Sequence, residues 1–135
     1  IWDRVARMRP QKRKRFNRWS DRKTDWAYNE LKALLTYTQK ENIDPASIQG
    51  SYAGAIGICQ FMPSNVIKLA ADGNADGRID LFDHADAIAS IANYLKSHGW
   101  QPKLSRQKQY KVLLRYNYSK PYANTLLDIA SKLKG

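Results

Sequence analysis

The stretch Gly50–Asn65, GSYAGAIGICQFMPSN, is unlike the helical sequence on either side of it. Gly50, Gly54 and Gly57 fall within eight residues. Each glycine inside a helix costs roughly 1 kcal/mol relative to alanine, so this stretch predicts a turn or close backbone approach rather than a helix. What approaches is open: another helix, or a ligand. Gln60 follows directly, with two amide donors and a carbonyl acceptor, and Pro63-Ser64 can open a short helix. A tightly packed turn between helices accounts for the same residues.

Outward from this stretch the pattern is helical. Upstream, Ala27, Leu31, Leu34, Leu35 and Thr38 recur at helical spacing from Thr24 onward. That helix should stop near Asn42, ahead of Asp44-Pro45. Downstream, Val66, Ile67, Ala70 and Ala71 suit a short helix. Ile88, Ile91, Ala92 and Leu95 suit another, ending at His98-Gly99. Ser105 can cap a helix carrying Tyr110, Leu113, Leu114 and Asn117 on one face. Ser119–Pro121 can open a last one with Tyr122, Leu126, Ile129, Ala130 and Leu133 on one stripe. No alternating strand pattern of useful length appears. The chain reads as an all-α domain.

The 135 residues suffice for one domain with a single core, and their 43% hydrophobic content is ordinary for one. No apolar run approaches the roughly 18 residues of a membrane span. No signal peptide is visible, and the start at Ile1 points to a processed or excised piece. Cys59, the single cysteine, excludes an intrachain disulfide and suits a small buried apolar position.

The net charge of +11 is concentrated at the front, in Arg4, Arg7, Arg9, Lys12, Arg13, Lys14, Arg15, Arg18, Arg22 and Lys23. Such a run attracts polyanions, either nucleic acid or a carboxylate-bearing polymer, and it also suits a solvated, weakly ordered arm. Residues 1–23 have no clean period, Pro10 interrupts any helix there, and Trp2, Phe16 and Trp19 suggest docking on a core. The expected organisation is a basic segment, 1–23, followed by a helical domain, 24–135.

Asp72-Gly-Asn-Ala-Asp-Gly-Arg-Ile-Asp-Leu-Phe-Asp83 fits the template of a calcium-binding loop. Asp72, Asn74 and Asp76 occupy positions 1, 3 and 5, with Gly77 at the turn. Arg78 would offer its carbonyl, Asp80 would follow at position 9, and Asp83 would close the set in place of glutamate. Oxygen donors in this number suit a hard cation such as Ca²⁺ (Ca2+) in a structural role. A polar Asx-turn loop without metal has the same composition.

AGAIGICQFMPS resembles a signature of the membrane-bound B type lytic murein transglycosylases, within the lysozyme-like superfamily. Asn29–Leu35, Asp72–Trp100 and Arg115–Ala130 resemble the same family in the same order, so the likeness covers roughly residues 22–133. It implies a lysozyme-like helical fold and a calcium loop at 72–83. It also implies cleavage of peptidoglycan glycan strands to 1,6-anhydromuramyl ends, in the bacterial periplasm or cell envelope. By the resemblance, Ser51, Gln60 and Phe61 line the glycan groove, Phe61 supporting a sugar ring. Tyr116, Asn117 and Tyr122 complete the groove, and Arg22 and Lys23 stand where relatives carry a basic pair. Helix-packing aromatics are the plainer reading of the tyrosines.

Such chemistry needs a carboxylic acid to protonate the glycosidic oxygen. The family's acid is a glutamate N-terminal to the matched segments. The chain has two glutamates, Glu30 and Glu41, and neither begins that motif. Both suit surface or local salt-bridge positions. No catalytic residue is therefore identified, and the expected acid lies upstream of Ile1. The resulting expectation is the substrate-cradling part of a transglycosylase domain. The alternatives are a non-catalytic peptidoglycan-binding module and a basic nucleic-acid binder.

Overall fold

The computed structural model describes residues 2–133, with side chains from residue 3. A short helix α1 (Trp2–Ala6) leads into a long α2 (Pro10–Glu41). A 3₁₀ turn at Pro45–Ser47 follows, then the glycine-rich segment and α3 (Pro63–Leu69). Helices α4 (His84–Ser97), α5 (Arg106–Tyr116) and α6 (Lys120–Leu133) complete the chain. Among the described residues there is no strand, only isolated bridges of Ile56 with Gly50 and Phe61. The all-α expectation holds.

The basic segment is ordered differently from its reading. Pro10 opens α2 instead of breaking it, because at a helix's first position its missing N–H has no partner to lose. The helix then runs through residue 23 without interruption for 32 residues, roughly 48 Å at 1.5 Å per residue. Trp19 does not dock on a core and stays 50% exposed. The burial of Trp2 lies outside the described side chains. The far end of α2 stops as predicted: Asn42 takes a left-handed conformation, φ 56°, and its N–H reaches back to Gln39 and Thr38 carbonyls.

Tyr37, Ile56, Cys59, Phe61, Val66, Leu81, Ala87 and Tyr94 form the main core. A smaller cluster of Leu113, Ala123 and Leu127 joins α5 to α6. Two helices face inward one step away from their predicted stripes. In α4 the buried positions are Asp86, Ala87, Ser90 and Tyr94, while Ile88 is exposed. The small Ala87 and Ser90 allow close packing, and Ser90 Oγ accepts the Ala71 N–H at 3.0 Å. In α6 Ala123 and Leu127 are buried, whereas Ile129 and Leu133 face solvent. Burial follows the partner surface, which hydrophobicity along one helix does not reveal.

The glycine-rich segment is a compact series of turns against the 78–83 loop. Gly57 has φ +70°, and a Cβ there would meet the Leu81 side chain and carbonyl. The Ile58 N–H donates to the Leu81 carbonyl at 2.8 Å. The close approach demanded by these glycines is to the chain's own backbone.

Candidate functional site

Gln60 sits at the outermost point of these turns. Its φ is +49°, a left-handed conformation rarely adopted by residues other than glycine. The Ile56 N–H donates to the Phe61 carbonyl at 2.9 Å and the Phe61 N–H to the Ile56 carbonyl at 3.1 Å, closing the loop beneath it. The exposed Gln60 side chain donates Nε2–H to the Gly57 carbonyl at 2.9 Å. Among the described residues nothing donates to its Oε1, which leaves an acceptor toward solvent. Ser51 is exposed on the same segment, its Oγ accepting the Ala55 N–H at 3.1 Å.

Phe61 does not stand beside a ligand. It is 2% exposed and packs its ring against Tyr94 and Tyr116, with centroids 5.6 and 6.3 Å away. The sugar-platform role expected for it is corrected to a core role: the two-residue bridge that turns Gln60 outward turns Phe61 inward.

Tyr116 joins the end of α5 to this loop, its hydroxyl donating to the Cys59 carbonyl at 2.6 Å. Burial pushes the Tyr116 phenol up to about 12, with neighbouring Tyr122, Cys59 and Tyr94 adding to the rise. It is therefore a neutral donor at physiological pH. Asn117 is the C-cap of α5 and is exposed, not the buried amide its helical register suggested. Tyr122 is 36% exposed in the first turn of α6. Arg22 and Lys23 are exposed on α2, about two turns before Glu30. The Lys23 ammonium lies 5.1 Å from the centre of the Trp26 ring. Ser51 and Gln60 lie on the glycine-rich loop and Tyr116, Asn117 and Tyr122 at the α5–α6 junction, the two joined by the Tyr116 hydroxyl on Cys59, while Arg22 and Lys23 belong to the α2 arm.

A cleft of about 270 Å³ opens between α2 and the loop, lined by Trp26, Glu30, Leu31, Tyr52, Gly54 and Met62 among others. None of the predicted groove residues lines it, although Tyr52 and Met62 are immediate neighbours of Ser51 and Phe61. Trp26 and Tyr52, both exposed aromatics, were missed by the sequence reading. Their signal was the placing of a large aromatic beside glycine or charge, a weak one.

Both glutamates are committed to backbone. Glu30, half-buried, accepts the Ser64 N–H and the Ser64 hydroxyl, each at 2.8 Å. A carboxylate at the first turn of α3 satisfies an orphan N–H and suits the positive end of the helix. Of the two positions expected for Glu41, surface or local salt bridge, the structure shows the second: it is buried, 6% exposed. It accepts the Ile79 N–H at 3.1 Å and pairs with Lys40 at 3.4 Å. Its carbonyl accepts from Arg78 Nη2 at 3.0 Å, so the guanidinium closes the C-terminus of α2.

In the 72–83 loop the side chains bond the loop's own amides. Asp72 accepts the Ala75 and Gly77 N–H groups, Asn74 that of Asp76, Asp76 that of Arg78, and Asp80 that of Phe82. Asp83 is used differently from its reading, because its Oδ1 caps α4 through the Ala85 and Asp86 N–H groups. The carboxylate that reaches back into the loop is Asp86, 1% exposed. It accepts the Gly73 and Asp80 N–H groups, both at 2.7 Å. Burial acts to raise its pKa, but the amides of Asp80, Gly73 and Asn74 outweigh it and hold the carboxyl below the ordinary aspartate range. Among the described residues no three acidic, histidine or cysteine side chains converge on one point. The donor set of the loop is nonetheless all oxygen, the chemistry a hard cation takes.

The fold is helical, with an exposed polar turn beside a cleft lined by Trp26 and Tyr52. Residues 14–109 match the model of the Transglycosylase SLT domain, and the chain belongs to that family. It is 46% identical over 79 residues to membrane-bound lytic murein transglycosylase B of Escherichia coli (strain K12), over 58% of this chain and 22% of that protein. The E. coli lytic transglycosylase Slt35, solved in complex with calcium, superposes with a TM-score of 0.61 at 42% identity. That match covers 63% of this chain and 27% of the other. Soluble lytic transglycosylase SltB1 of Pseudomonas aeruginosa superposes with a TM-score of 0.73 at 26% identity, over 79% and 56% of the two chains. The chain thus spans about a quarter of the E. coli proteins it matches.

Proposed function

We propose that this chain is the substrate-cradling part of a peptidoglycan lytic transglycosylase and that neither of its glutamates is the acid. The observation that carries the reading is the Gln60 turn. It is an exposed, left-handed loop with an unpartnered acceptor, held from below by Phe61 and from the side by Tyr116. A loop so fixed can hydrogen-bond an N-acetyl or hydroxyl group of a glycan without ordering cost on binding.

In the reaction, a carboxylic acid protonates the glycosidic oxygen, and the C1–O bond to the leaving sugar breaks. The muramyl 6-hydroxyl forms a new bond to C1 and gives its proton to the carboxylate that the acid has become, so no water is consumed. Within this chain, Ser51, Gln60, Tyr116, Asn117 and Tyr122 would orient the glycan strand. Glu30 and Glu41 instead serve the fold, accepting the Ser64 and Ile79 N–H groups. Arg22 and Lys23 would meet stem-peptide carboxylates. The site of action would be the periplasm or cell envelope.

Ca²⁺ is the cation the 72–83 loop would take, through Asp72, Asn74, Asp76, the Arg78 carbonyl and Asp80. Its role is structural, joining the end of α3 to the start of α4, and it supplies no step of the chemistry.

The test is digestion of purified sacculi with this chain, read by mass spectrometry for 1,6-anhydromuropeptides. Retention on sacculi with no anhydro product is expected. Anhydro products would place a working acid within these residues and overturn the assignment of both glutamates. A purely non-catalytic module gives the same first result. It is separated by fusing the Glu-bearing segment of a relative, which restores cleavage only if the groove is a transglycosylase groove.

A further inference from the structure

We propose that the α1–α2 arm is an interfacial surface for anionic phospholipid bilayers, separate from the glycan groove. Between residues 10 and 29 of α2 every side chain is exposed except those at 16 and 20, which are half-exposed, so this half of the helix projects free of the core. Lys12, Arg15, Phe16 and Trp19 recur at i, i+3, i+4 and i+7, one stripe of cation and aromatic. Asp21 and Asp25 of α2 fall on the opposite side. Phe16 and Trp19 pack ring against ring, 5.8 Å between centroids.

At the start of the stripe Met8 and Phe16 form the apolar floor of a cleft of about 540 Å³, with Arg9, Lys12 and Arg15 around it. The ion pairs among the described residues, Lys40–Glu41 and Arg106–Asp128, involve none of the arm's cations. Cations at phosphate height with aromatic rings beneath them match a lipid headgroup above its acyl chains. A nucleic-acid duplex uses the cations but gives a paired aromatic floor nothing to enter. The same face would lie flat on a bilayer without spanning it, and no described helix is long and apolar enough to cross a membrane.

The test is flotation of the whole chain with vesicles of phosphatidylglycerol and phosphatidylcholine in equal parts, against vesicles of phosphatidylcholine alone. Binding to the anionic vesicles only is expected, with a blue shift of tryptophan emission. Removing two stripe cations (Lys12→Gln, Arg15→Gln) should weaken partitioning about twenty-fivefold, at roughly fivefold per cation near the surface. Phe16→Ala with Trp19→Ala should weaken it by about tenfold or more at unchanged charge. Trp19→Ser alone keeps the aromatic arm of the test readable if the double variant unfolds. Failure to float with anionic vesicles overturns the proposal. So does loss on charge removal with no effect of the aromatic variants, or displacement from vesicles by an equal charge of duplex DNA. Sacculus binding is unaffected in either case, so the glycan reading stands or falls separately.

Discussion

Gly57→Ala tests whether the glycine-rich segment is built by contact with Leu81. The substitution meets two independent obstacles. At φ +70° a side-chain residue carries left-handed strain of roughly 1–2 kcal/mol. The new Cβ would also lie 2.6 Å from the Leu81 carbonyl oxygen. That oxygen cannot retreat freely, because it accepts the Ile58 N–H at 2.8 Å, and the Leu81 side chain is fully buried. Overpacking of this kind costs about 1–3 kcal/mol, so the total loss is about 2–5 kcal/mol. Gly77 supplies the control: its φ is +84°, but a Cβ there meets nothing within 4 Å. Gly77→Ala should cost about 1–2 kcal/mol from strain, partly offset by about 0.4–1 kcal/mol from a stiffer unfolded chain. The assay is urea denaturation followed by far-UV circular dichroism, with both variants and the parent in one buffer. Equal losses for the two variants would refute the close-approach argument and leave only backbone conformation.

Glu30→Ala should lower stability by about 1–3 kcal/mol in the same assay, because Ser64 loses a charged acceptor for its N–H; an unchanged midpoint would count against the Glu30 clamp. Calcium should raise the melting temperature of the parent and not of Asp76→Ala, and equal melting with calcium or chelator would end the metal proposal. Tyr37 and Tyr116 are both raised to about 12, foremost by burial. Their folded forms prefer the neutral phenol, so their contribution is whole below pH 10 and is lost as pH climbs toward 12. Denaturation midpoints should fall across that window, more gently in Tyr116→Phe, and equal slopes would discount Tyr116. Gln60→Gly and Gln60→Ala should weaken binding of a glycan fragment alike, yet glycine should be the more stable by roughly 0.5–1 kcal/mol because it relieves the left-handed turn; a more stable alanine variant contradicts that conformation.

Helix boundaries were the most legible part of the chain, because their signals are local. Asp44-Pro45, Pro63 and His98-Gly99 each acted where chain chemistry requires, and Ser105 stands at the N-cap position of α5 without a side-chain cap bond. The basic arm was misread because Pro10 has two meanings: a breaker inside a helix, an opener at its first position. Charge density gave no periodicity to decide between them. The inward faces of α4 and α6 were illegible for another reason. Which of two adjacent stripes is buried depends on what lies opposite, as Ser90 beneath Ala71 illustrates. Asp83 and Asp86 show the same limit in the loop: both are aspartates at plausible distances, and only the start of α4 assigns one to the cap and the other to the loop interior.

The groove residues divide along a physical line that composition cannot draw. Gln60 and Phe61 are adjacent, and the resemblance treats both as groove residues, yet one faces solvent and the other the core. A bridge on either side of a left-handed residue forces this alternation. The outward residue can then meet a ligand only because the inward one is anchored. Left-handed strain at a residue other than glycine persists where its surroundings over-determine it. Here the surroundings come from three separate parts of the chain: the Leu81 carbonyl bonding Ile58, the Tyr116 hydroxyl bonding Cys59, and Glu30 fixing Ser64 just beyond the turn. Leu81 and Glu30, outside the proposed groove, would thus join Tyr116 in setting the position of Gln60. Substitutions at Glu30, Gly57 or Tyr116 should therefore weaken glycan binding through Gln60, in proportion to how far each loosens the turn.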